Sequence, residues 1–267
     1  MSLAPSTLVI SERDSRGVYQ LRLNQPESFN ALSGEMIAAL HSALDTVAQD
    51  DQARAVVLSA EGRAFCPGHN LKEMAAQPRL EFYQALFAQC SKMMLSIAKL
   101  PVPVIARVQG MATAAGCQLV AQCDLAVCSP KARFATSGIA YGLFCSTPSV
   151  PLIRNIAPKH AMQMLITGEF IDSATALRYG LINAVAQDDS AAALGAQVNL
   201  LLAGILDKPR AALAIGKELV YRQQGLSLEA AYALAGQTMA INMMDAAAQE
   251  GVRAFTEKRQ PDWKTAP

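Results

Sequence analysis

An α/β architecture with mostly parallel strands is predicted by three features of this sequence. Apolar, strand-like runs alternate with helix-like segments as far as residue 128. Beyond Pro148 helical segments take over. Two glycine-bearing segments, Phe65-Cys66-Pro67-Gly68-His69-Asn70-Leu71 and Gly110-Met111-Ala112-Thr113-Ala114-Ala115-Gly116-Cys117-Gln118-Leu119, each follow an apolar run and read as strand-to-helix turns.

The elements follow in order. Residues 7–13 and 17–23 alternate as two strands around Asp14-Ser15-Arg16-Gly17, a hairpin that Asn24-Gln25-Pro26 stops. Ser33 is a plausible N-cap, and Met36, Ile37, Leu40, Leu44 and Val47 recur at helical spacing to about Gln49. Ala55–Ser59 is a buried strand. A second round has a helix over 79–99, a strand over 102–108, a small-residue helix over 114–122 and a strand over 124–128. Helices are then expected at 148–157, 159–166, 173–179, 190–206, 209–223 and 227–257, with one strand near 182–185. The break at Asp207-Lys208-Pro209 divides a core, residues 1–206, from a helical region, residues 207–267.

Composition narrows the function. The chain has 267 residues, 52% hydrophobic and only 17% charged, enough for a full core with apolar surface left to bury between subunits. Net charge is +1, from 23 basic and 22 acidic residues without a Lys/Arg block, which excludes an electrostatic footprint for nucleic acid. Apolar stretches end well before the roughly 18–20 residues that a membrane span needs. Met1-Ser2-Leu3-Ala4-Pro5 lacks the basic and apolar regions of an export signal. These features predict a cytoplasmic protein with no membrane partner. The cysteines at 66, 90, 117, 123, 128 and 145 form no CxxC pair, and the histidines at 41, 69 and 160 are far apart. Reduced, mostly buried thiols are therefore expected, with no bound metal.

The two glycine turns carry the chemistry. Each could aim a free backbone N–H at a ligand, and two converging N–H groups form an oxyanion hole, where losing one donor costs roughly 10²–10³ in rate. At these residues, and in Phe29-Asn30-Ala31-Leu32, Cys123-Asp124-Leu125-Ala126, Leu165–Glu169, Ala176–Ile182 and Ala254–Arg259, the chain resembles the crotonase (enoyl-CoA hydratase/isomerase) superfamily. The Thr113–Leu119 run and the Lys258–Trp263 tail resemble a divergent branch of it. The resemblance implies a crotonase-like spiral of strand-strand-helix repeats with a C-terminal helical trimerisation region, assembled as a homotrimer or a dimer of trimers. It also implies an enzyme, a lyase or isomerase of fatty-acid metabolism, whose acyl-CoA substrate is held by the backbone N–H groups of His69 and Ala115. Coenzyme A would arrive as part of the substrate, with no permanently bound cofactor. The family's middle glycine is replaced in Ala114-Ala115-Gly116, where the added methyl is expected to keep φ negative and leave the N–H available.

Departures from the family pattern matter as much. The resemblance implies two catalytic glutamates, at the positions of Gln118 and Gly138, and neither carboxylate is present. Losing general acid–base help costs about 10²–10⁴ per group, so ordinary hydration is not expected to be efficient. A later carboxylate position found in some members is Ser146 here. Cys145 is either a nucleophile or inert packing, and His69 is either a general base or a turn residue facing solvent or capping a helix. A carboxylate such as Glu73 could substitute. For coenzyme A, the resemblance places Lys72, Lys258 and Arg259 near the phosphates or adenine, the last two from an adjoining subunit. Ser28 and Phe29, with the backbone around Asn70 and Leu71, would wrap adenine and pantetheine. Met74, Phe82, Leu86, Met93 and Met94 either line the acyl pocket or pack in the helix core. A non-catalytic acyl-CoA-binding protein and a thioester hydrolase are the alternative readings.

Overall fold

The computed structural model describes residues 7–263, so Met1–Ser6 and the last four residues lie outside the described part. Strands β1 (Val9–Arg13) and β2 (Val18–Leu23) form the expected antiparallel hairpin. Asp14 closes its turn by accepting from the N–H groups of Arg16 (2.8 Å) and Val18 (3.0 Å). Helix α1 (Gly34–Ala48) starts at Ser33, whose hydroxyl accepts from the Met36 N–H at 3.1 Å, and it buries the five apolar residues that its spacing predicted.

The chain then coils through strand β3 (Ala55–Ala60), strand β4 (Ala64–Cys66) and helices α2 (Leu71–Ala76) and α3 (Leu80–Lys99). The next coil is strand β5 (Val104–Val108), strand β6 (Met111–Thr113) and helix α4 (Ala115–Gln122). A third is strand β7 (Leu125–Cys128), strand β8 (Arg133–Ala135) and helices α5 (Ser146–Asn155) and α6 (Pro158–Thr167). Strand β9 (Ile171–Asp172), helix α7 (Ser173–Tyr179) and strand β10 (Ala184–Val185) complete the spiral. Helices α8 (Ala191–Leu206), α9 (Arg210–Gln223), α10 (Leu228–Met243) and α11 (Ala246–Thr256) follow.

Each coil contributes one strand to each of two sheets. The larger sheet runs β1-β2-β3-β5-β7-β10 and the smaller β4-β6-β8-β9, parallel except at β1/β2 and β8/β9. The central strands β3, β5 and β7 of the large sheet are buried on both faces, which is why they read as unbroken apolar runs. Val56, Leu58, Val104 and Ala106 point into the main core, while Val18, Val57, Ile105 and Val127 point the other way, against Leu194, Val198 and Leu202 of α8. No helix among the described residues is long and apolar enough to cross a membrane.

The structure departs from the sequence expectation in two places. The small sheet was not anticipated: its strands are two or three residues long and lie at or beside the segments read as turns, too short for a period-2 pattern. The helix expected over 227–257 is two helices. Asp245 interrupts it by accepting from the Ala247 N–H at 2.9 Å, as an aspartate N-cap does.

A buried ion pair docks the C-terminal helices on the spiral. Lys217 of α9 reaches Asp124, in the turn between α4 and β7, at 2.6 Å, and also donates to the carbonyls of Ile97 (2.8 Å) and Val102 (3.0 Å). Tyr221 donates to the other Asp124 oxygen at 3.0 Å, and the Val104 N–H completes the cluster at 2.7 Å. Burial pushes the Lys217 ammonium below its ordinary pKa, opposed by the adjacent carboxylate. Asp124→Ala strands this lysine in a desolvated site and should cost about 3–5 kcal/mol of unfolding free energy in a urea titration. Replacing Asp124, Lys217 and Tyr221 together by apolar residues should cost markedly less.

Candidate active site

Close packing between α4 and β4 builds the site. A Cβ on Gly116 would lie 2.0 Å from the Cys66 carbonyl oxygen, so only glycine lets the first turn of α4 rest on that strand. The approach places the Ala115 N–H, one of the donors that a helix start leaves unpaired, beside Gly68. Gly68 adopts φ +103°, and a Cβ there would sit 3.2 Å from the Ala115 nitrogen.

On the other turn, Leu32 pairs with His69 as an isolated parallel bridge. The Leu32 N–H donates to the Gly68 carbonyl (2.8 Å) and the Asn70 N–H to the Leu32 carbonyl (3.2 Å). Parallel pairing turns the N–H of the bridged residue away from its partner. The His69 N–H accordingly has no acceptor among the described residues. The two predicted turns are thus neighbours, with one unspent backbone donor on each.

Ala115 keeps a negative φ, as expected, while its neighbour Ala114 stands at φ +50°, ψ −121°. Its N–H donates to the Ala135 carbonyl at 3.0 Å and its methyl faces Gly68, so the strand-to-helix reversal fixes the conformation against the preference of an L side chain. Such residues cost of order 1–3 kcal/mol and persist where the surroundings over-determine them.

The two positions where the resemblance implies glutamates carry neutral groups. Gln118 is 4% exposed, and its Oε1 has no hydrogen-bond partner. Gly138 lies in the 3-10 turn Ser137–Tyr141, and a Cβ there would fall 2.5 Å from the Leu143 carbonyl oxygen and 2.9 Å from Cys145 Sγ. The chain has folded inward over the space that a longer side chain would occupy. Next to it, the hydroxyls of Thr113 and Ser137 bond each other at 2.7 Å, a pair with no sequence signal to reveal it.

His69 does not face solvent. Its ring meets Phe87 of α3 edge-on at a centroid distance of 5.3 Å, Nδ1 lies 3.4 Å from the Leu32 carbonyl, and Nε2 is buried without a partner. Donation from Nδ1 to that carbonyl leaves Nε2 as the bare nitrogen. Burial lowers the imidazole pKa from its ordinary 6.5, so the ring is neutral at pH 7. Cys145 is buried and its thiol pKa is raised by burial, which favours inert packing over a nucleophile. All six cysteines are buried and unpaired, as expected, and burial raises Cys66 and Cys117 to about 12. Glu73 is committed elsewhere, accepting from the Gly34 N–H at 3.1 Å at the start of α1.

The Leu32–His69 bridge runs the segment of Ser28 and Phe29 beside that of Asn70, Leu71 and Lys72. Phe29 is held left-handed at φ +56° with the Arg63 guanidinium 4.6 Å above its ring, while Ser28 donates to the Gln25 carbonyl at 3.2 Å. The Asn70 side chain caps α2, accepting from Lys72 (3.1 Å) and Glu73 (3.2 Å); Leu71 and Lys72 are exposed. Lys258 and Arg259 follow α11, which packs on α9 and α10. The Arg259 guanidinium is spent on Glu250 (2.6 and 3.0 Å) and Glu257 (2.7 Å), a pairing that sequence spacing did not reveal. Leu86, Met93 and Met94 are core residues; Met74 and Phe82 pack at its edge.

The two-sheet spiral, with its two glycine turns packed side by side, defines the class of fold. The profile described as Enoyl-CoA hydratase/isomerase matches residues 13–266, and the chain belongs to that family. Enoyl-CoA hydratase domain-containing protein 3, mitochondrial, of Xenopus laevis is 43% identical over 251 residues, 94% of this chain and 84% of that protein. A crystal structure of an enoyl-CoA hydratase from Mycobacterium smegmatis is 56% identical, with a TM-score of 0.93 over 97% of this chain and 99% of its own. The human domain-containing protein 3 structure is 40% identical, with a TM-score of 0.89 over 96% of this chain and 100% of its own. The divergent branch that the sequence resembles is therefore the domain-containing protein 3 group.

These relatives correct the expected cytoplasmic location: the Xenopus protein and its zebrafish, rat, mouse and human counterparts are all named as mitochondrial. Low charge, reduced thiols and the absence of a membrane span do not distinguish one reducing compartment from another, so composition could not carry that inference.

Two measurements test this geometry. Gly138→Glu should lose about 1–3 kcal/mol in denaturant unfolding, because its Cβ alone displaces the Leu143 carbonyl. For His69, the unfolded ring takes up a proton near pH 6.5 while the folded ring stays neutral to lower pH. Its contribution is therefore complete above pH 6.5 and declines as pH falls from there towards the folded pKa. His69→Gln should flatten that part of the stability–pH curve.

Proposed function

We propose that this protein is an acyl-CoA-binding enzyme that holds a thioester carbonyl between the N–H groups of His69 and Ala115 and stabilises the enolate or oxyanion formed from it. The observation that supports this reading is the packing of Gly68, the residue before His69, against the Ala115 nitrogen, with neither the His69 nor the Ala115 N–H spent on another group among the described residues. Preorganised donors of this kind act where charge develops and need no reorganisation during the reaction. The rim of Ser28, Phe29, Asn70, Leu71 and Lys72 receives the coenzyme A moiety. Lys258 remains a candidate phosphate contact, and Arg259 acts by holding α11 to the tail through Glu250.

Hydration is not the reaction this site performs well. Gln118 cannot take a proton from water near neutral pH, Gly138 has no side chain, and Glu73 is occupied at α1. The closed space over Gly138 favours, as a second reading, an acyl-CoA-binding protein that retains the carbonyl clamp without turnover. Residues 207–267 form the trimerisation region in this reading. Leu228, Tyr232 and Met239 of α10 are more than 70% exposed in the single chain, surface that a homotrimer or a dimer of trimers would cover.

The test is crotonyl-CoA turnover, followed as loss of the conjugated-thioester absorbance, by the wild type and Gln118→Glu, with thioester binding checked in both. Wild-type hydration should run about 10²-fold or more below that of the variant while binding is unchanged. Equal, rapid hydration by both proteins overturns the assignment.

A further inference from the structure

Where the spiral meets the C-terminal helices, a cavity of about 490 Å³ is lined by Arg54, Lys208, Arg210, Asp245, Asp262 and Trp263, among others. That volume lies within the roughly 300–1,000 Å³ of small-molecule sites. The cavity is remote from the glycine turns. Arg54 precedes β3, whose far end leads into β4 and Gly68, and β3 alone spans about 20 Å.

Two guanidiniums are fixed in its wall before any ligand arrives. Arg54 donates through Nη2 to the carbonyls of Leu206 (3.1 Å) and Lys208 (2.7 Å), and Arg210 donates through Nε to the Ala53 carbonyl at 3.0 Å. Nη1 of Arg54 and both terminal nitrogens of Arg210 have no partner among the described residues. Lys208 differs, since its ammonium pairs with Asp207 at 2.9 Å. An arginine anchored by some of its donors presents the others with little freedom left to lose, in a fork that fits phosphate oxygens.

The rest of the wall sets the remainder of the ligand. Asp245 gives one carboxylate oxygen to the Ala247 N–H at 2.9 Å and keeps the other. Carboxylates beside the guanidiniums repel a bare polyanion but accept from hydroxyl groups. Trp263 is held by its indole N–H, which donates to the Asp207 carbonyl at 3.1 Å, and an anchored aromatic ring is a stacking platform for a nucleobase. A molecule that carries a phosphate, hydroxyls and a flat ring together is a nucleoside monophosphate.

We propose that this cavity binds a nucleoside monophosphate, with the phosphate on Arg54 and Arg210, the ribose hydroxyls on Asp245 and the base against Trp263. The proposal is independent of the carbonyl clamp.

Trp263 is the single tryptophan of the chain, so its fluorescence reports on this cavity. Titration of the purified full chain with adenosine monophosphate, excited beyond the nucleotide's own absorbance, should quench that fluorescence saturably. Inorganic phosphate and adenosine each carry only part of the recognised chemistry and should need about tenfold higher concentrations or more. Arg210→Gln should raise the nucleotide midpoint about tenfold or more, because a hydrogen bond to a charged group is lost, with thermal unfolding of the free variant showing that it folds. The wild-type comparison of the three ligands decides the question even if the variant does not fold. Absence of saturable quenching by the nucleotide overturns the proposal, as does a midpoint unchanged in Arg210→Gln. Phosphate or adenosine alone acting at the nucleotide's concentration overturns the ligand class.

Discussion

The site depends on one steric constraint, the contact between Gly116 and the carbonyl of Cys66. A helix start offers unpaired N–H groups wherever it occurs. They become useful only where they converge with another donor. The absent side chain at 116 lets α4 lie on β4, and the absent side chain at 68 lets the β4 turn pass under the end of α4. The strained Ala114 between them follows from the same approach. Its methyl occupies the volume that the glycine at 68 vacates, so the two positions form a matched pair in which the side chain is carried by the less suitable backbone.

Around these donors the site is electrically quiet. His69 is neutral because it is buried, Gln118 is neutral by composition, the thiol of Cys145 stays protonated, and Glu73 is tied to the start of α1. A glutamate at 138 and the present path of Leu143 cannot coexist.

Much of this was legible in the sequence, and the boundary falls along physical lines. The α1 stripe, the hairpin and the large-sheet strands are visible because burial on a defined face imposes a period or an unbroken apolar run. The two turns are visible because their glycines stand at the junctions of such elements. The small sheet was not, because three-residue strands leave no period to read. Nor were the links fixed by tertiary position: Lys217 with Asp124, Arg259 with Glu250, Glu73 with Gly34, and the Leu32 bridge that orients His69. These join residues whose separation in the chain says nothing of their contact. The packing at Gly138 was equally hidden, since sequence records the glycine but not the Leu143 carbonyl that lies against it.

Asp124 lies just past the C-terminal end of α4, and the donor of Ala115 lies at the other, so an eight-residue rod about 12 Å long separates them. The far end of that rod is bolted to α9 through Lys217 and Tyr221, while the near end is wedged against β4 by Gly116. A short helix clamped at both ends behaves as a strut. The seating of the C-terminal helices and the aim of the Ala115 N–H are therefore one mechanical property, and whatever loosens the first lets the second drift.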